Sequence, residues 1–117
     1  MATVLAWHDA LNAGDLDTLV SLSSDDIEIG DARGAAQGHE ALRSWAQGLG
    51  RTIEPGRIYV HDGVVVVEEK VQGADASATS AASAFRVVDD HVTSAFRHDD
   101  LTAALAATDL TEADLTG

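Results

Sequence analysis

The apolar residues of this chain change their period near residue 52, and few folds take that change in that order. Before it the spacing is helical. Val4, Trp7, His8 and Leu11 fall at i, i+3, i+4 and i+7, one face of a first helix that Gly14 stops. Asp15 predicts a cap on a short second helix carrying Leu16, Leu19 and Val20. Asp25 to Asp31 alternates, with Ile27 and Ile29 on one side and Glu28 on the other, which predicts a strand. A Gly/Ala stretch from Arg33 to Gly38 reads as a turn into a third helix, whose apolar face carries Leu42, Trp45, Ala46 and Leu49.

After residue 52 the pattern is that of strands. Ile58 to Val60 leads through a His61-Asp62-Gly63 turn into Val64 to Val71. Gln72 to Asp75 predicts a further turn before a strand from about Ser77 to Val88, and Asp89-Asp90 turns the chain into Val92 to His98. Leu101 to Ala107 predicts a short helix capped by Asp99 or Asp100, and the last ten residues are expected to fray. Helices first and an antiparallel meander afterwards predict an α+β domain with helices on one face of a curved sheet. Such a cone leaves a cavity at its open end. Ser77, Thr79, Ala81 and Ser83 would enlarge it if they face inward.

The chain has 117 residues, room for a single domain over 1–117, and no linker or repeat divides it. Its 7 basic and 20 acidic residues give a formal charge of −13, which excludes the basic footprint of a nucleic-acid binder or of a protein drawn to an anionic membrane. There is no Cys, so disulfides, thiol catalysis and Cys-based zinc sites are excluded. Apolar runs such as Val64 to Val67 are far short of a membrane span, and no basic-then-apolar leader opens the chain. The expectation is a soluble, cytoplasmic protein. Small neutral or apolar molecules, or a second copy of the chain, remain as partners.

The run Ala10-Leu11-Asn12-Ala13-Gly14-Asp15-Leu16-Asp17, followed by Asp25-Asp26 and a strand ending at Asp31, resembles the NTF2-like superfamily. Within it the resemblance is to the ketosteroid isomerase and SnoaL-like polyketide cyclase branches. Gly38-His39-Glu40-Ala41-Leu42-Arg43 is similar to the start of that family's third helix. Ala84-Phe85-Arg86-Val87 and Phe96-Arg97-His98-Asp99 are similar to its last two long strands. The resemblance covers about the whole chain. It implies a cystatin-like cone, a curved antiparallel sheet wrapped around three N-terminal helices, and a homodimer packed through the outer face of the sheet. It also implies that Asp31 stands where the isomerases keep their general base. Their oxyanion-stabilising tyrosine falls on Trp7 and their protonated aspartic acid on Ser83.

Asp31 is therefore the first catalytic candidate, since a carboxylate that loses its water in an apolar cavity becomes a stronger base. A pair with Arg33 at the cone's mouth is the plainer alternative. Arg97 and Asp99 lie two apart on one strand and share a face. With Asp31 they could form the Asp–Arg–Asp type of cluster that the superfamily's epoxide hydrolases use, or Asp99 could cap the last helix while Arg97 pairs at the surface. His98 falls on the face opposite Arg97, and His91 falls at a turn. His8, His39 and His61 lack the spacing of metal ligands, so neither a metal nor another cofactor is expected.

Trp7, Trp45, Tyr59, Phe85 and Phe96 are the only large rings. Trp45 reads as core, while Trp7 and Phe85, with Ser83, are the candidate substrate-binding residues. Glu68-Glu69-Lys70 reads as a solvated edge or a dimer surface. The expected function is isomerisation or cyclisation of a small, apolar, oxygen-bearing compound, with Asp31 as proton shuttle and Trp7, Ser83 and Arg97 shaping the site. The alternatives are a non-catalytic small-molecule-binding dimer, a purely structural dimer and an epoxide hydrolase.

Overall fold

The computed structural model describes residues 2–31, 34–48, 52–72 and 78–115. The chain opens with helices α1 (Ala2–Ala13) and α2 (Leu16–Ser21), strands β1 (Ser23–Asp31) and β2 (Gly34–Gln37), and helix α3 (His39–Gly48). Four long strands follow: β3 (Thr52–His61), β4 (Val64–Gln72), β5 (Ala78–Val88) and β6 (His91–His98). Helix α4 (Leu101–Thr108) and a single 3₁₀ turn, Glu112–Asp114, complete the described chain. The strands form one curved, open sheet in the order β2-β1-β6-β5-β4-β3. Among the described residues only β1 against β6 is parallel.

The Asn12-Ala13-Gly14-Asp15 stretch has a local physical meaning. The Asn12 side-chain amide donates to the Ile53 carbonyl at 2.7 Å and accepts from the Ile53 amide at 2.9 Å, tying the end of α1 to the start of β3. Gly14 takes φ +71°, a conformation costly for other residues, and lets the chain reverse. The Asp15 carboxylate then accepts from the amide and hydroxyl of Thr18 at 3.3 and 2.7 Å, capping α2. The two fully described hairpin turns are of the left-handed kind that matches strand twist, Asp62-Gly63 at φ 49° and 79° and Asp89-Asp90 at φ 50° and 62°.

The sheet buries both faces. On the concave face Val65, Val67 and Val71 of β4, Ala81 and Phe85 of β5, and Ile27 and Ile29 of β1 pack with Val4, Trp7 and Leu11 of α1, Leu19 of α2 and Leu42 of α3. On the outer face Tyr59, Val66, Ala82 and Ala84 pack with Ala104 of α4 and with Leu110. In β3 a register shift between Pro55 and Ile58 reverses the parity, so odd Ile53 and even Ile58 share the concave face.

Several expectations are corrected. The Gly/Ala stretch before α3 is not only a turn: Gly34 to Gln37 pair with Glu28 to Asp31 as an exposed edge strand. Helices lie on both faces, because α4 covers part of the outer one. Asp100, not Asp99, caps α4 by accepting from the Ala103 amide at 2.7 Å. The C-terminal stretch is held, with Leu110 buried and Leu115 bridged to Tyr59. Glu69 is buried at 3% exposure in a central strand, not solvated. Arg33, Leu49, Ser77 and the turn after Gln72 lie outside the described residues, as does the Thr79 side chain. Among the described residues, no helix is long and apolar enough to cross a membrane.

Candidate functional site

Between the helices and the concave face lies a small, partly open cavity lined by Trp7, Gly30, Trp45, Ile53, Glu69, Ser83, Phe85, Ala95 and Arg97. Helix α1 supplies Trp7, α3 supplies Trp45, and adjacent strands β4, β5 and β6 supply Glu69, Ser83 with Phe85, and Arg97. Strand parity aims the last group inward: Ser83 and Arg97 are register partners on β5 and β6. Four of the residues singled out from sequence, Trp7, Ser83, Phe85 and Arg97, thus meet at one place.

The other two do not join them. Asp31 is exposed at the end of β1, one residue beyond Gly30, and Asp99 is exposed just past the end of β6. Neither is among the residues that line the cavity beside Arg97. The lining therefore holds Arg97 without either carboxylate. His98 lies on the opposite face from Arg97, in an outer groove that also contains Phe96. Among the described residues no group of three His, Asp or Glu side chains converges as a metal site would need.

The cavity walls are rings. Phe85 stands edge-on to Trp7 and to His8, with centroids 5.3 Å apart in both pairs, and Trp45 leans on Trp7 at 5.9 Å. Trp45 lines the cavity while only half-buried, so the core role read from sequence is incomplete. The free space, about 20 Å³ as swept by the centre of a water-sized sphere, is that of a single water.

Hydrogen bonds decide which polar groups are available to a ligand. The Trp7 indole N–H donates to Ser23 Oγ at 3.1 Å, and that hydroxyl donates to the Leu19 carbonyl. Trp7 therefore offers a ring, not a donor. The Ser83 hydroxyl donates to Glu69 Oε1 at 2.6 Å, so it too is engaged. The other carboxylate oxygen, Oε2, lies 2.6 Å from His8 Nε2, and His8 Nδ1 lies 2.9 Å from the Val4 carbonyl oxygen. His8 is 0% and Glu69 3% exposed. Arg97, half-buried, is the cationic group of the cavity lining.

Glu69 is the residue that sequence reading missed, and a signal for it existed. It falls in phase with Val65, Val67 and Val71, the concave stripe of β4, whereas Glu68 and Lys70 fall out of phase or at the surface. His8 likewise lies on the buried stripe of α1. A buried imidazole and a buried carboxylate each demand a partner, and each is the other's.

The family model for the SnoaL-like domain matches residues 4–109. No curated protein matches the chain significantly. Solved structures do. A candidate polyketide cyclase from Sinorhizobium meliloti superposes with a TM-score of 0.78 at 21% identity, covering 84% of this chain and 94% of that one. A candidate ketosteroid isomerase from Kribbella flavida gives 0.75 at 15% identity, covering 82% and 73%. TerC, co-crystallised with polyporic acid, gives 0.74 at 16% identity, covering 87% and 92%. At these identities the likeness is one of fold.

Proposed function

The chain belongs to the SnoaL-like domain family, and from that premise we propose that it is a small-molecule acid–base enzyme of the SnoaL and ketosteroid isomerase-like type. Its reaction is the isomerisation or cyclisation of a small, apolar, oxygen-bearing compound. One observation carries this reading: an apolar, ring-walled cavity into which a buried carboxylate and an arginine both reach. The rings Trp7, Trp45 and Phe85 take the apolar body of the substrate. Arg97 faces its oxygen, where a guanidinium stabilises negative charge as it develops. Asp31, exposed beside Gly30, shuttles protons between the cavity and water. Trp45 is the half-buried wall that must swing to admit a ligand, since the cavity has room for one water. A protein of this fold that co-crystallises with polyporic acid supports a small organic ligand.

The closeness of the ring cluster favours one second reading, a non-catalytic binding or structural dimer. A thermal-shift screen with steroid enones, polyketide-like aromatics and small cyclic enones separates the two, followed by turnover of any compound that binds. A ligand at 100 times its Kd stabilises by about 2.7 kcal/mol, a shift of several degrees for a domain of this size. Binding with turnover that Arg97→Ala abolishes is the expected result. Binding without turnover supports the second reading, and no shift with any class refutes the enzyme.

A further inference from the structure

We infer that His8 and Glu69 form a one-proton acid–base couple in the cavity, in which Glu69 takes the proton from a substrate C–H and His8 positions it. The inference rests on the acid–base reading above and names the group that performs it. A carbonyl oxygen only accepts hydrogen bonds, so the Val4 carbonyl at 2.9 Å requires a proton on His8 Nδ1. That leaves His8 Nε2 and Glu69 Oε2 at 2.6 Å with one proton between them. Two protons would clash, and none would set a lone pair against an anion. The couple is imidazolium with carboxylate or imidazole with carboxylic acid, and in both forms it is neutral as a whole.

That neutrality explains how a carboxylate stands in the Val65-Val67-Val71 stripe. Packing gives no reason for it, because an aliphatic residue would continue the stripe and need no partner. The Ser83 hydroxyl holds the other carboxylate oxygen, so the group is oriented from two sides while still lining the cavity. An oriented, desolvated ionisable pair in a cavity is the arrangement that proton transfer requires.

The substrate class is a small ketone with an acidic C–H, such as a β,γ-unsaturated ketone. Glu69 takes the proton as the C–H bond breaks, and the electron pair moves into an enolate whose oxygen faces Arg97. The couple becomes singly positive as the substrate becomes singly negative, so the cavity gains no net charge. Return of the same proton to another carbon of the enolate completes an isomerisation with no further reactant.

The probe is 3-cyclohexen-1-one, whose conversion to the conjugated enone is followed by ultraviolet absorbance. Glu69→Gln is expected to lose about 100-fold or more in kcat, Asp31→Asn less, and His8→Gln to lower kcat with KM unchanged. Glu69→Asp, which keeps the charge but withdraws it, guards against a Gln variant that fails to fold and is expected to retain partial turnover. Nitrogen-15 NMR of histidine-labelled protein is expected to show His8 protonated at Nδ1, with an Nε2 signal that moves in Glu69→Gln. Wild-type turnover in Glu69→Gln overturns the inference and leaves the proposed function standing with Asp31 as base. No turnover and no binding by the wild type refutes the proposed function and the catalytic role with it. An unprotonated Nδ1 overturns the couple whatever the kinetics.

Discussion

Replacing Glu69 by Ala and by Gln should produce very different proteins. In Glu69→Ala, His8 Nε2 and Ser83 Oγ both lose their partner inside the core, where their residues are 0% and 9% exposed. Each orphaned group costs about 1–3 kcal/mol, and the one lost methylene adds about 0.8 kcal/mol. The loss should be about 3–5 kcal/mol, in line with breaking other buried pairs. That is a large share of a total stability of about 5–15 kcal/mol. In Glu69→Gln every partner survives: neutral His8 keeps its proton on Nδ1, the new amide N–H donates to Nε2, and the amide oxygen accepts from Ser83. The cost should stay within about 1 kcal/mol, set by the loss of a charge-assisted bond. Urea unfolding measures both. With a slope of about 1–2 kcal/mol/M the Ala midpoint falls by roughly 1.5–5 M while the Gln midpoint moves by about 1 M or less. The double variant His8→Leu/Glu69→Leu should recover part of the Ala loss, because the pair is removed together and only the Ser83 hydroxyl is left without its partner. Equal costs for Ala and Gln would refute the assignment of the proton.

Other outcomes follow from the same geometry. Asn12→Ala removes both bonds to Ile53 and should cost about 1–3 kcal/mol, read by denaturant unfolding, with amide exchange rising first at the start of β3. Gly30→Ala would place a Cβ 2.6 Å from the Gly34 carbonyl oxygen and 2.9 Å from the Ala35 Cα, so the β1–β2 hairpin must shift; thermal melting should show a loss that Gly34→Ala, with nothing within 4 Å, does not. The Asp15 carboxyl is held below its ordinary value of 3.8 by the Thr18 hydroxyl and amide. Its contribution is therefore complete above that value and lost as pH falls through the lower folded one. The Thr18 amide resonance should move only at that acidic end, and in Asp15→Ala this movement should vanish.

The α+β architecture was legible in the order of hydrophobic periods, and the turns in their residues. Gly14, Asp62-Gly63 and Asp89-Asp90 take the conformations their side chains favour, and local preference needs no tertiary help. The edge strand Gly34–Gln37 was not legible, because four small or polar residues carry no period; only pairing with β1 makes them a strand. The shift in β3 was hidden for a similar reason. Parity reads one face, and the irregularity between Pro55 and Ile58 exchanges faces midway.

The site divides along the same line. The family pattern and strand parity brought Trp7, Ser83, Phe85 and Arg97 to one cavity, since a residue's side of a strand or helix is a local property. Which of them still had a free donor was not local. Ser23 claims the Trp7 indole from 16 residues away, and Glu69 claims the Ser83 hydroxyl and, from 61 residues away, His8. Most elements and the faces they turn inward could be read from the residues alone, because those follow from short-range sterics and burial. That an imidazole and a carboxylate meet at 2.6 Å was settled by packing, because a hydrogen bond depends on tenths of an ångström between chain segments that no spacing encodes.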